Sequence, residues 1–371
     1  MYRIGFIIEQ ALGHITHTKN LQANVPKDGE IKALWGLPRW QTEGWLGKMP
    51  VVKSNWTVQA GLQARRLVRD MQQQGPLDAL FFHTQVTAVL AQNWVRRIPS
   101  VVSLDATPKQ YDSLGEFYAH EPGPAWLEQR KWELNRDLFR SARHIVSWSK
   151  WARQGLADEY EVPSTKVTVI PPGVTVQEWH RPVPRQPHNG PVKILFVGGN
   201  LERKGGLLLL EAFRQLRSEH EQGRLPAVEL HLVTRDQVEK EPCLYVYNEM
   251  QANSAPLKQL YFDSDIFCLP TFGDCLPMVL SEAGATELPV VSTDVAAIPE
   301  IVEDGVTGFI IPPGDTRAIT AALRRLVQDP VLRQQQGQRA RQLVDEQFDA
   351  EKNAFRLLEL LKQIVDETKG K

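Results

Sequence analysis

Asp265-Ile-Phe-Cys-Leu-Pro-Thr-Phe-Gly-Asp-Cys-Leu-Pro-Met-Val-Leu-Ser-Glu-Ala-Gly-Ala285 runs on through Leu288-Pro-Val-Val-Ser-Thr-Asp-Val-Ala-Ala-Ile-Pro-Glu-Ile-Val302 to Gly305-Val-Thr-Gly-Phe-Ile-Ile-Pro-Pro-Gly-Asp315. In order it reads as strand, loop, helix, strand, loop, helix and a final short strand. The apolar runs at 266–269 and 289–292 are of buried-strand type, and Gly and Pro bracket them. Asp274 and Glu282 stand within this stretch, seven residues between them. On one helix they would sit about 80° apart around the axis. Pro277 favours another placement, Asp274 in the loop and Glu282 in the helix, because proline is tolerated in a first turn and disfavoured deeper. Both carboxylates then border a helix N-terminus, whose free N–H groups and partial positive charge suit a phosphate. An acid beside a phosphate repels it unless the ligand also brings hydroxyls, as a sugar nucleotide does.

The same alternation extends outward. Strand-like runs at 3–8, 79–82, 100–104, 144–148 and 167–170 are separated by helical candidates at 58–74, 86–97, 125–140 and 150–160. The proline-rich stretch 182–191 interrupts the pattern. It then restarts with strands at 193–197 and 228–234 around a helix at 205–219. Alternating strands and helices argue for parallel sheets covered by helices, an α/β fold. One interruption predicts two doubly wound domains with a cleft at the carboxyl ends of their strands. The expected division is a first domain at 1–182, a linker at 183–191, a second domain at 192–349 and a final helix at 350–371.

At 371 residues the chain is long enough for two substantial cores. A hydrophobic fraction of 42% and a charged fraction of 23% are those of a globular protein. A net charge of −1 offers no global attraction to nucleic acid. Cys243, Cys268 and Cys275 are too few for a disulfide framework or a zinc site. The opening residues read as a short strand turning polar at Glu9, not as a signal peptide, and no run approaches the ~20 apolar residues of a membrane span. A reducing cytosol is the expected location.

Phe196-Val-Gly-Gly-Asn-Leu-Glu-Arg-Lys-Gly-Gly206 opens the second domain. Gly198 and Gly199 allow backbone N–H groups to approach an anion, and Arg203 and Lys204 can neutralise it. The glycine spacing is not the dinucleotide fingerprint, and no Gly-Lys-Ser/Thr phosphate loop is present.

Taken as a set, the motifs in 194–315 closely resemble the donor-binding half of family 4 retaining glycosyltransferases, which have the GT-B fold of two Rossmann-like domains facing across a cleft. In the first half the resemblance rests on strand–loop order. It implies a retaining hexosyltransferase that needs no metal ion. A nucleoside-diphosphate sugar, UDP- or GDP-linked, would be the donor, and a hydroxyl on a small molecule, glycan or lipid the acceptor. Arg203 and Lys204 would hold the diphosphate, Glu282 the ribose and Asp274 the sugar hydroxyls. Backbone N–H groups of Leu276, Met278 and Val279 would lie near the phosphates, and the final helix would cross back to the first domain. Gly13 sits where the family has a glycine-rich loop. Three positions depart from the family: Asp274 stands for Glu, Gly199 for a frequent Arg, and Asp105 for a strand-end His. A nucleotide-sugar epimerase, a phosphorylase or a catalytically silent sugar-nucleotide binder are the alternatives.

In the first half, His83 and Asp105 end two strands where a cleft should be, and both are candidates for proton transfer or for hydroxyl binding. His14 and His17, three apart, fit one helix face or a metal pair lacking an evident third ligand. Trp35, Trp40, Trp45 and Trp56 gather near Arg39, Lys48 and Lys53; acceptor-binding loops, core positions and peripheral membrane contact all fit them. Tyr245-Val-Tyr-Asn-Glu249 is expected near the donor base.

Overall fold

The computed structural model describes residues 1–10, 13–40, 55–114, 123–183 and 188–370. Its contacts divide into two units. One runs to Pro172 and takes in the chain again from Ala350; the other is Gly173–Asp349.

The first unit holds a six-stranded parallel sheet: β1 (Tyr2–Ile8), β2 (Ile31–Gly36), β3 (Ala79–His83), β4 (Ser100–Leu104), β5 (His144–Ser147) and β6 (Val167–Val169). Their order is β2-β1-β3-β4-β5-β6, so the winding reverses between β1 and β3. The central strands are largely apolar and buried because both faces are covered. Alternate residues divide between two cores, as a two-residue period requires. Leu80 and Phe82 pack in one core with Ala64 and Val68 of helix Trp56–Gln73; Phe81 packs in the other with Ile4 and Phe6. Helix Ala350–Lys369 seals that second core with Leu357, Leu358, Leu361, Ile364 and Val365. These positions recur at three and four, one stripe of a helix. Each buried aliphatic contributes about 1.5–3 kcal/mol.

The second unit holds β7 (Val192–Val197), β8 (Val228–Val233), β9 (Leu244–Tyr247), β10 (Ile266–Leu269), β11 (Val290–Thr293) and β12 (Gly308–Ile311) in the order β12-β11-β10-β7-β8-β9. Here the winding reverses between β7 and β10. The loops leaving those two strands therefore flank the crevice where doubly wound sheets bind ligands.

Several expectations change in detail. The units divide at Pro172, ahead of the 183–191 segment expected as linker, of which 184–187 lie outside the described residues. Residues after Gly173 go with the second unit because Val174 donates to Phe348 O at 2.9 Å and Trp179 packs edge-on against Tyr261. The helix expected over 86–97 is two short ones, Gln85–Ala88 and Gln92–Val95, separated by a turn in which Ala91 N–H bonds Ala88 O. The helix expected after β11 is a single 3₁₀ turn, Ile298–Glu300.

Candidate functional site

In the second unit, β7 ends at Val197 and the chain turns through Gly198–Gly205 into helix Gly206–Glu221. Gly205 adopts φ +70°, and a Cβ there would lie 1.9 Å from Pro270 O. Only glycine lets the two crevice loops approach this closely. Asn200 shapes the turn, its Oδ1 accepting from Arg203 N at 2.7 Å. Gly198 has a role other than the expected anion donor: its N–H is committed to Val233 O at 2.9 Å. A Cβ at Gly198 would sit 3.0 Å from Lys204 Cγ, so the bare glycine makes room for the lysine stem.

Lys204 and Arg203 meet Asp274, which lies in the loop after β10. Lys204 Nζ is 2.5 Å from both carboxylate oxygens, and Arg203 Nη1 is 3.5 Å from Oδ1. Arg203 Nη1 also donates to Gly273 O at 2.6 Å. Thr271 Oγ1 donates to Asp274 Oδ2 at 2.9 Å. The lysine side chain is 13% exposed, and desolvation lowers its pKa despite the carboxylate beside it. A cation held in such a place is held for charge. Helix Met278–Ala285 follows, capped by Pro277 without a side-chain acceptor. Its first turn leaves the Met278 and Val279 N–H groups without helical partners. Leu276, just before it, is buried.

Glu282 lies within that helix, as expected, and is 5% exposed. Its neighbours are Tyr261 and Lys258, not Arg203 and Lys204. Tyr261 Oη donates to Glu282 Oε2 at 2.9 Å. Burial pushes the Glu282 carboxyl up to about 7, against the lowering effects of Tyr261 and Lys258. Lys258 stands over the Trp179 ring at 5.5 Å and pairs with Glu178 at 2.6 Å. Tyr245, at the sheet edge on β9, stacks on His231 at 4.8 Å, while Asn248 fastens the turn after β8 through Thr234 O and Asp236 O.

The first unit's reversal point is built differently. Glu9 follows β1, and its N–H donates to His83 O at 2.7 Å. Its Oε2 accepts from Thr84 Oγ1 at 3.1 Å and Trp56 Nε1 at 3.4 Å, and Oε1 faces His14 Nε2 at 3.2 Å. His14 Nδ1 lies 2.9 Å from His83 Nε2. His83 is fully buried and stacks on Trp148 at 4.9 Å with planes 10° apart. Burial, aided by His14 and His17, holds His83 well below the ordinary imidazole range, and burial takes His17 down to about 3. Burial raises the Glu9 carboxyl, opposed by His14. Asp105 follows β4; Tyr111 Oη donates to its Oδ2 at 2.8 Å, while its buried Oδ1 has no hydrogen-bond partner among the described residues. Gly13 starts helix His14–Asn24 with an ordinary φ of −65° and open space at its Cβ position, so the backbone does not demand glycine there. Trp35 is a core residue stacked on Phe6 at 4.8 Å, whereas Trp40 is half exposed and pairs with Trp56 at 5.8 Å. Trp45, Lys48 and Lys53 lie outside the described residues.

Residues 191–329 match the family described as Glycosyl transferases group 1, and residues 37–178 match Glycosyltransferase Family 4. The chain thus carries a domain of each description, one in each half. A relative, the glycogen synthase of Mycobacterium tuberculosis, is 24% identical over 278 residues, covering 70% of this chain and 65% of that one. Among solved structures, the sucrose-phosphate synthase of Thermosynechococcus elongatus superposes with a TM-score of 0.78 at 14% identity, covering 98% of this chain and 99% of that one. Anabaena HepE in complex with UDP gives 0.72 at 16%, over 98% and 100% of the two chains. At such identities these structures speak to fold: two doubly wound Rossmann-like domains of the GT-B class.

Four functional candidates escaped the sequence reading: Thr271 and Tyr261 in the second unit, Glu9 and Trp148 in the first. Glu9 had a signal, an acid directly after an apolar strand. Tyr261 had none, since it stands 21 positions before its carboxylate partner.

Proposed function

We propose that the chain transfers a hexose from a nucleoside-diphosphate sugar to a hydroxyl acceptor, with retention of anomeric configuration and without a metal ion. One observation carries this reading: two largely covered cations converge on a single carboxylate in the second unit's crevice, beside an uncapped helix start. A diphosphate entering there would replace Asp274 as counter-ion to Lys204 and Arg203. Two cations and a helix N-terminus supply the positive charge that a diphosphate needs. Asp274, released, would then accept hydrogen bonds from sugar hydroxyls, and Glu282 from the ribose. In the reaction the C1–oxygen bond to the diphosphate breaks, and the electron pair leaves on an oxygen held by the two cations. The acceptor oxygen bonds C1 on the same face, and its proton passes to the leaving phosphate. Positive groups placed where negative charge develops lower the barrier. The UDP bound to HepE supports uridine over guanosine as the first donor base to test.

Thermal-shift titration of the full chain against UDP, GDP and ADP tests donor binding, because a ligand of the folded state raises Tm with affinity. Release of UDP from UDP-hexose that requires an acceptor then tests transfer. Epimerised donor or phosphate-dependent release would replace the reading.

A further inference from the structure

At the amino ends of β4 and β5, opposite the end that carries His83 and Asp105, the first unit contains a cavity of about 680 Å³. That volume suits a small ligand. Five cations line it, Arg96, Arg97, Arg140, Arg143 and Lys166, against one acid, Glu367. Arg143 pairs with Glu367 at 3.0 Å, and Arg140 pairs outside the lining with Glu161 at 2.6 Å. The other three have no acidic partner among the described residues. Arg96 Nη2 donates to Gln92 Oε1 at 3.0 Å and Lys166 Nζ to Arg140 O at 2.6 Å. Neutral acceptors satisfy those hydrogen bonds and leave the charge in place.

Helix ends account for part of the arrangement. Arg96 caps helix Gln92–Val95, and Arg140 lies in the last turn of helix Ala125–Ser141, where cations offset the negative end of a helix. That role needs one cation per end and no cavity between them. Lys166 belongs to neither helix, yet it is half buried and points its ammonium among the arginines. Burial lowers its pKa and Arg143 lowers it further; neighbouring His144 is lowered chiefly by burial and then by Lys166. Surplus positive charge around an open, ligand-sized depression suits an anion, and guanidinium groups suit phosphate oxygens.

We propose that this cavity is a binding site for a phosphate-bearing ligand, formed entirely by the first unit and sharing no residue with the Arg203–Lys204 pair. It stands whether or not the second unit takes a sugar nucleotide. A soluble phosphate ester and the headgroup of an anionic lipid share the chemistry it recognises.

Calorimetric titration of the full chain with inorganic pyrophosphate, at low ionic strength so that screening is weak, is expected to fit two sites. Lys204→Ala should remove one. Arg97→Glu combined with Lys166→Ala should weaken the other at least tenfold while circular dichroism stays unchanged. Should Lys166→Ala prevent folding, Arg96→Glu with Arg97→Glu serves instead, since both side chains are exposed. The proposal is overturned if the cavity variants bind pyrophosphate like the parent chain, or if Lys204→Ala alone abolishes all binding. Loss of binding in the cavity variants alone supports it and leaves the donor reading to its own test. Co-sedimentation with phosphatidylglycerol vesicles, compared with phosphatidylcholine, assigns the source. Vesicle binding that Arg97→Glu removes identifies a lipid headgroup, and pyrophosphate binding without vesicle binding identifies a soluble ester.

Discussion

Both units reverse their winding at one point of a parallel sheet, and each carries buried polar groups there, yet the two clusters differ in kind. In the second, full charges meet: Lys204 and Arg203 against Asp274. In the first, the hydrogen-bonded series Glu9–His14–His83 ends on the Trp148 ring, with burial pushing His83 and His17 towards neutral imidazole and Glu9 towards the protonated acid. Burying an ion pair costs more desolvation than burying neutral hydrogen-bonded rings. The cheaper arrangement suits a rigid wall, or hydroxyl groups that need only donors and acceptors.

The strongest test of that contrast is Lys204→Ala. It leaves Asp274 buried without its main counter-charge, so stability should fall by about 3–5 kcal/mol, and transfer should drop roughly 10²–10³-fold. Adding Asp274→Asn should return most of the stability in urea melts and none of the turnover. Parent-like turnover in the single variant would remove leaving-group charge from the second unit's account. His83→Ala comes next: loss of a ring stacked on Trp148 should cost about 3 kcal/mol by cavity formation, with the UDP-induced Tm shift intact. If that shift vanishes too, the two clusters are not separable by function.

Glu282→Gln should act through pH. A carboxyl whose folded pKa is raised binds more protons folded than unfolded, so its contribution to stability declines as pH rises from about 4.5 through 7. The amide should therefore be the more stable chain at pH 8, by on the order of 3 kcal/mol, and no different at pH 4; the reverse order would refute the buried-acid assignment. The smallest effect belongs to the first unit. Its lowered imidazoles bind fewer protons folded than unfolded, so stability falls as pH drops below about 6.5. Glu9, raised, works the other way in part. His17→Gln should therefore flatten the slope between pH 6.5 and 5.

How much of this the sequence announced follows from the range of each contact. β7, β10 and β11 are short apolar runs between Gly and Pro, and local punctuation sufficed to find them. The edge strands β2 and β9 passed unread because exposed residues, Lys32 in one and Tyr245 in the other, break the pattern of a buried run. Arg203, Lys204 and Asp274 were legible as chemical types at the ends of strands. The pairing of Lys204 with Asp274, 70 positions on, was not. Nor was His83 against His14, since strand order sets that contact and no local pattern encodes it.

Helix Ala350–Lys369 carries one further consequence. The chain leaves the first unit at Pro172 and re-enters it at Ala350, and Val174 and Asp349 at the two crossings are bridged as neighbours. Topologically, 173–349 is a guest whose two ends lie side by side within a host that is split in sequence. Expressed alone, the guest retains every strand of its sheet, whereas a fragment ending at residue 172 lacks the aliphatic stripe that closes one of its two cores. Expression of 173–349 should thus give a folded piece, and expression of 1–172 an insoluble one.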